Sequence, residues 1–98
     1  MRFRFKTHKL RALYTDNAGA SKFPAAVVAA FFRRMATIES AQDERDLYAV
    51  KGVHFERLKG ARAGQHSMRL NDQYRLILTA DKDAQGKYLC IIDIEDYH

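Results

Sequence analysis

Gln65-His66-Ser67-Met68-Arg69-Leu70, then Asn71-Asp72-Gln73, then Tyr74-Arg75-Leu76-Ile77-Leu78-Thr79-Ala80: this stretch alternates, turns and alternates again. A period of two is the signature of a strand, because successive side chains leave opposite faces. His66, Met68 and Leu70 therefore share one face, and Gln65, Ser67 and Arg69 the other. Beyond the turn, Tyr74, Leu76 and Leu78 point one way and Arg75, Ile77 and Thr79 the other. The polar triplet 71–73 predicts a tight turn that lays the two strands side by side. Outward from this hairpin, residues 53–59 read as a preceding strand and Gly60-Ala61-Arg62-Ala63-Gly64 as a hairpin loop. Residues 81–87 read as a polar loop containing Gly86, and residues 88–94 as a fourth, strongly apolar strand.

Toward the N-terminus the period changes. Residues 2–5 (Arg-Phe-Arg-Phe) alternate as a short strand, and Leu10 and Leu13 predict a short helix over 8–14. Asp16-Asn17-Ala18-Gly19 is a loop signal. Pro24 suits the start of a helix whose Val28, Phe31, Phe32 and Met35 form a core-facing stripe, with Arg33 and Arg34 toward solvent. Asp43 and Glu44 open a second short helix, where acidic side chains suit the positive end of the dipole, and Gly52 follows as a stop. The layout is α+β: an N-terminal strand and helices packed on one side of a curved antiparallel sheet of four or five strands. Its 98 residues fit one domain, 1–98.

Seventeen Lys and Arg against twelve Asp and Glu give a net charge of +5, which favours a polyanionic partner. Cys90 is the only cysteine, which excludes an intrachain disulfide and suits a reducing compartment; within Tyr88-Leu89-Cys90-Ile91-Ile92 it reads as a small core residue. No signal peptide and no run of about 20 apolar residues is present, so the expectation is a cytoplasmic protein away from membranes. Four histidines without a paired helical spacing or a cysteine partner argue against zinc. There is neither a Gly-rich phosphate loop nor a nucleophile elbow. Metal-free acid–base chemistry without a cofactor is the remaining enzymatic reading.

If the apolar sets face the helices, Arg69 and Arg75 share the open face, and Lys59 and Arg62 border it through the first hairpin. Such cations would engage the phosphates of RNA; the plainer alternative is solvated strand residues. Glu95-Asp96-Tyr97-His98 follows directly on the fourth strand. An imidazole exchanges protons near neutrality, and neighbouring carboxylates favour its charged form; the alternative is a solvated tail that happens to carry a histidine. His66, on the parity of Met68 and Leu70, reads as a packed histidine. His54, near the start of a strand, either reaches the basic face or points away from it.

The run from Leu58-Lys59-Gly60 through Arg62-Ala63-Gly64 and Ser67-Met68-Arg69-Leu70-Asn71 to Tyr74-Arg75 resembles the signature of HigB-type toxins, also called plasmid maintenance system killer proteins, of the RelE-like superfamily. In that family a Leu-Lys-Gly segment, an Arg-x-Gly, a Ser-x-x-x-Asn and an aromatic-Arg pair follow at this spacing, and Asp96-Tyr97-His98 matches the usual closing residues. The resemblance implies a RelE-like fold, mRNA cleavage on the ribosome by attack of a 2′-hydroxyl on the adjacent phosphate, and a HigA-type helix-turn-helix antitoxin through which the pair binds operator DNA. By position it implies that Arg75, Asp96, Tyr97 and His98 are catalytic and that Lys59 is the lysine of the family's Leu-Lys-Gly segment; with Arg62, Arg69 and His54 of the basic face read above, Lys59 is expected to border the RNA. One departure stands out: many members carry a histidine where this chain has Glu56, and His54, two residues earlier, is an alternative. Two other readings stay open: a toxin of the ParE type, which acts on gyrase without cutting RNA, and an inactive relative kept for its partner.

Overall fold

The computed structural model describes residues 1–97. The turn at 71–73 is built by Asn71, whose Oδ1 accepts from the backbone N–H of Gln73 (2.9 Å) and of Tyr74 (2.7 Å). An Asn side chain that mimics the turn's own hydrogen bonds locks the register of what it joins. Here it joins β3 (Gln65–Arg69) to β4 (Tyr74–Asp83), antiparallel, with Met68 opposite Leu76 and Arg69 opposite Arg75. β5 (Gly86–Asp96) returns along β4, and a two-residue β2 (Glu56–Arg57) lines the other side of β3.

The expected loop over 81–87 shrinks to a two-residue turn at Ala84-Gln85, because Asp83 pairs with Gly86 and both strands run to that point. Asp83 supplies the reason. Its Oδ1 accepts from the N–H of Gln85 (2.9 Å), and its carboxylate takes the guanidinium of Arg2 at 2.7 Å and that of Arg4. These bonds, led by Arg2, hold the Asp83 carboxyl at a pKa of about 2.

β5 carries an irregularity opposite Ile77 and Leu78 that leaves Ile92 as an extra residue. A bulge shifts the alternation by one. Leu89 and Ile91 before it, and Ile94 after it, consequently all join the core.

The sheet order is β1-β5-β4-β3-β2, with β1 (Phe3–Phe5) parallel to β5. The expected antiparallel sheet is what β2 to β5 form; the N-terminal strand β1 joins its edge as a parallel neighbour, so the five-stranded sheet is mixed. Phe3 and Phe5 set this arrangement, meeting Tyr14 of α1 (His8–Asp16) at ring distances of 5.7 and 5.4 Å. The chain must leave β1 directly into the helical layer, and a parallel neighbour is what a crossover through that layer permits.

The strand expected over 53–59 is also corrected. His54 stands at φ +51°, a left-handed conformation that ends any strand, so only Glu56–Arg57 pair with β3. His54 therefore does not stand on one strand with Glu56.

In α2 (Ala25–Ser40) the buried stripe is Val27, Ala30, Phe31, Met35 and Ile38, with Val28 and Phe32 only half-buried. Arg34 turns inward from the expected solvent face, and its Nε donates to the Arg69 carbonyl at 2.7 Å. That bond satisfies a carbonyl at the end of β3. α3 (Glu44–Ala49) starts at Asp43, whose side chain accepts from the Arg45 N–H, and buries Leu47. Cys90 does not join the core. It is half-buried and in register with Arg4, opposite to the parity of Leu89 and Ile91. No helix among the described residues is long and apolar enough to cross a membrane.

His66 is 4% exposed on the helix-facing side, stacked on Phe55 at 4.8 Å and 8°, and neither ring nitrogen has a partner among the described residues. Burial, the largest influence, lowers its pKa below 6.5. A histidine whose folded pKa is depressed costs stability when protons are available, because the unfolded chain binds them more readily. Folding stability is therefore full above pH 6.5 and falls as pH drops below that value toward the folded pKa. His66→Phe keeps the stack and should flatten this dependence in denaturant titrations across the interval. An unchanged pH profile in the variant would refute the assignment.

Candidate active site

The helices cover one face of the sheet, where Met68, Leu76, Leu78 and Ile94 belong to the core. Register then fixes the other face. Arg69, Arg75 and Glu95 form one row across β3, β4 and β5, and Ser67, Ile77 and Asp93 the next. Glu56, in register with Ser67, falls on the same side. The parity reading of Arg69 and Arg75 as neighbours on the open face agrees with the structure.

Each arginine on this face is held differently. The Nη1 of Arg75 donates to the carbonyls of Asn71 (2.6 Å) and Tyr74 (3.1 Å), so the turn that sets the register also aims this guanidinium. The ring of Tyr97 lies 5.3 Å from its Cζ, a cation–π distance. Arg75 pairs with no carboxylate among the described residues. Arg69 is paired with the highly exposed Asp72. Arg62 comes from the short 3-10 turn Gly60–Arg62, which replaces the middle of the expected hairpin loop. Its guanidinium meets both oxygens of Glu95, at 2.5 and 2.7 Å, and its Nε donates to Gln65 Oε1 at 3.0 Å. Hydrogen bonding to Arg62 lowers the Glu95 pKa, and the same bond raises that of Arg62.

Lys59 is exposed where the chain enters that 3-10 turn. Tyr97 is 43% exposed, and its backbone N–H is anchored on the Gln73 carbonyl at 2.6 Å. Asp96 is in register with Tyr74, on the parity opposite to Arg75 and Glu95, and its Oδ2 accepts from Gln73 Nε2 at 2.9 Å. His54 is exposed in its left-handed turn, its Nδ1 3.9 Å from Glu56 Oε1. His98 lies outside the described residues. The structure thus brings Arg62, Arg69, Arg75 and Tyr97 together, and sets Asp96 and His54 apart from the arginine row.

Sequence reasoning passed over Glu95 and Asn71 as parts of this face. Glu95 was legible by parity, two residues from Tyr97 on the same side. Asn71 was read as a turn residue and as part of the family signature, and its further role, presenting a carbonyl to Arg75, leaves no mark in the sequence.

Residues 3–95 match the family described as the RelE-like toxin of the type II toxin-antitoxin system HigB. Over 90 residues, 91% of this chain and 95% of the relative, the sequence is 38% identical to Toxin HigB-1 of Vibrio cholerae. The fold is similar to that of a YoeB/ParE toxin from Agrobacterium tumefaciens (TM-score 0.66, 19% identity, all of both chains). It is also similar to the YoeB-YefM complex structure from Staphylococcus aureus (TM-score 0.59, 20% identity, all of this chain and 97% of that one). The chain belongs to the HigB-like family of RelE-fold toxins and is a toxin of a type II toxin-antitoxin system, with an antitoxin as its partner.

Proposed function

We propose that this toxin is a metal-free endoribonuclease that cuts mRNA on the ribosome, using the open face of the sheet. The observation that carries the reading is Arg75: a guanidinium aimed by two main-chain carbonyls, backed by an aromatic ring, and carrying no carboxylate among the described residues. A fixed cation is what the cleavage needs. The 2′-hydroxyl loses its proton to a base and attacks phosphorus, and the 5′-oxygen leaves with a proton from an acid, giving a cyclic phosphate and a free 5′-hydroxyl. Negative charge builds on the phosphate oxygens between these events, and a preorganised cation stabilises it. Arg75 holds that charge, with Lys59 and Arg69 engaging flanking phosphates. Tyr97, nearly half exposed, offers its ring to a base. His98, on the family resemblance, moves the proton, and Asp96 orients its neighbours from the end of β5. Glu56 and His54 compete for the base, and Glu56 has the better parity because it faces the open side.

The antitoxin is then a HigA-type helix-turn-helix protein encoded beside the toxin, through which the pair reaches operator DNA. Expression of the toxin gene alone should arrest growth, co-expression of the neighbouring gene should restore it, and purified toxin should cut ribosome-bound mRNA but not free mRNA. Normal growth with abundant folded protein would overturn the reading. Growth arrest with intact mRNA and inhibited gyrase would favour the ParE-type alternative.

A further inference from the structure

We propose that Glu95 is a built-in phosphate surrogate: its carboxylate occupies the seat on Arg62 that a substrate phosphate would take, and RNA must displace it to gain Arg62 as a further cation of the face. The inference rests on the RNA-cleaving reading above and concerns how that site binds. The geometry is a fork on a fork, Nη1 to Oε1 at 2.5 Å and Nη2 to Oε2 at 2.7 Å. A carboxylate and a phosphate offer a guanidinium the same pair of oxygens, so one replaces the other without moving the arginine. Gln65 fixes the remaining edge of Arg62 through its Nε, which keeps the fork aimed when its partner leaves.

The seat is also in the right place. Glu95 is directly opposite Arg75 across β4 and β5, and the Cβ atoms of residues so paired stand about 5 Å apart. A phosphate that takes the Glu95 seat on Arg62 therefore lies on the same face of the sheet as Arg75.

The pair is open to exchange. Arg62 and Glu95 side chains are 37% and 31% exposed, so solvent screens the pair and water can reach it despite its bidentate fit. With Glu95 on Arg62 and Asp72 on Arg69, two of the three arginines are neutralised within the protein, and Arg75 alone of the three pairs with no carboxylate among the described residues. The free face is thus a poor RNA binder by construction. It gains its full charge only against a phosphate already positioned by other contacts.

The test is binding of a short single-stranded oligonucleotide with deoxyribose sugars, which lacks the attacking hydroxyl, followed by fluorescence anisotropy over a salt series. Glu95→Gln should bind about two- to fivefold more tightly at low salt, the range expected for releasing an exposed ion pair. Its plot of log affinity against log salt should steepen by about 0.7, because in the unmodified toxin the freed Glu95 carboxylate offsets the one phosphate contact that Arg62 makes. Adding Arg62→Gln to Glu95→Gln should return both quantities to those of the unmodified toxin. Equal affinity and slope in Glu95→Gln would overturn the proposal. So would a gain that survives in the double variant, since that gain would come from lost repulsion alone. Arg75→Ala in the same assay separates the two readings: if it binds like the unmodified toxin, the RNA site itself is misplaced. If it binds weakly while Glu95→Gln changes nothing, only the surrogate fails.

Discussion

Arg75→Ala should lower cleavage of ribosome-bound mRNA by about 10²–10³-fold and leave the circular dichroism spectrum unchanged. The size follows from what the side chain does. Its charge is spent on main-chain carbonyls and an aromatic ring rather than on a carboxylate among the described residues. Removing it strands no described ionic partner, and the fold should lose little, of the order of the half kcal/mol typical of surface substitutions. The reaction, in contrast, loses the group that meets its developing charge. Arg75→Lys restores a charge without the planar fork and should recover only part of the rate. A folded Arg75→Ala variant with full activity would remove this face from consideration.

The second large effect is on stability. Phe31 is fully buried in α2 and meets Tyr14 at 6.4 Å and Phe32 at 5.4 Å, inside an aromatic cluster that also holds Phe3 and Phe5 against the helices. Phe31→Ala should cost about 3–5 kcal/mol, lost transfer energy plus the cavity left behind. For a domain of this size that is a large part of a total of about 5–15 kcal/mol. Chemical denaturation should show the shift as a lower midpoint. Growth arrest should be lost in this variant as in Arg75→Ala, for a different reason, and only the denaturation curve tells the two apart. A midpoint within experimental error of the unmodified toxin would refute the role assigned to the cluster.

These two residues also mark what was legible in the sequence. Phe31 was marked by its period, and Arg75 by parity and by the family resemblance around it. The central hairpin was legible because its alternation and its Asn-led turn agree. Three features were not. The parallel seating of β1 depends on aromatic contacts between segments far apart in sequence. The bulge at Ile92 is a one-residue slip inside an apolar run, where a change of parity costs no hydrophobicity and leaves no trace. The left-handed His54 broke a strand that its neighbours Val53 and Phe55 suggest, since both remain buried as a strand pattern would require. Within the site, the arginines were readable as charges. Their pairing was not, because whether a cation is free or already neutralised is decided by partners brought in by the fold.

The position of β5 between β1 and β4 has a consequence for how the toxin is made. This strand is translated after every other described element, yet it is the one on which both β1 and β4 depend. A nascent chain that has reached only residue 85 holds Phe3–Phe5 without their partner and β4 with one edge bare. Closing Phe3 onto Leu89 joins segments far apart in sequence, a loop-closure cost met late. The arginine row likewise lacks Glu95 and Tyr97 until that moment. The toxin therefore completes its sheet and its working face in one late step, and a ribosome that stops early releases a fragment in which both are incomplete.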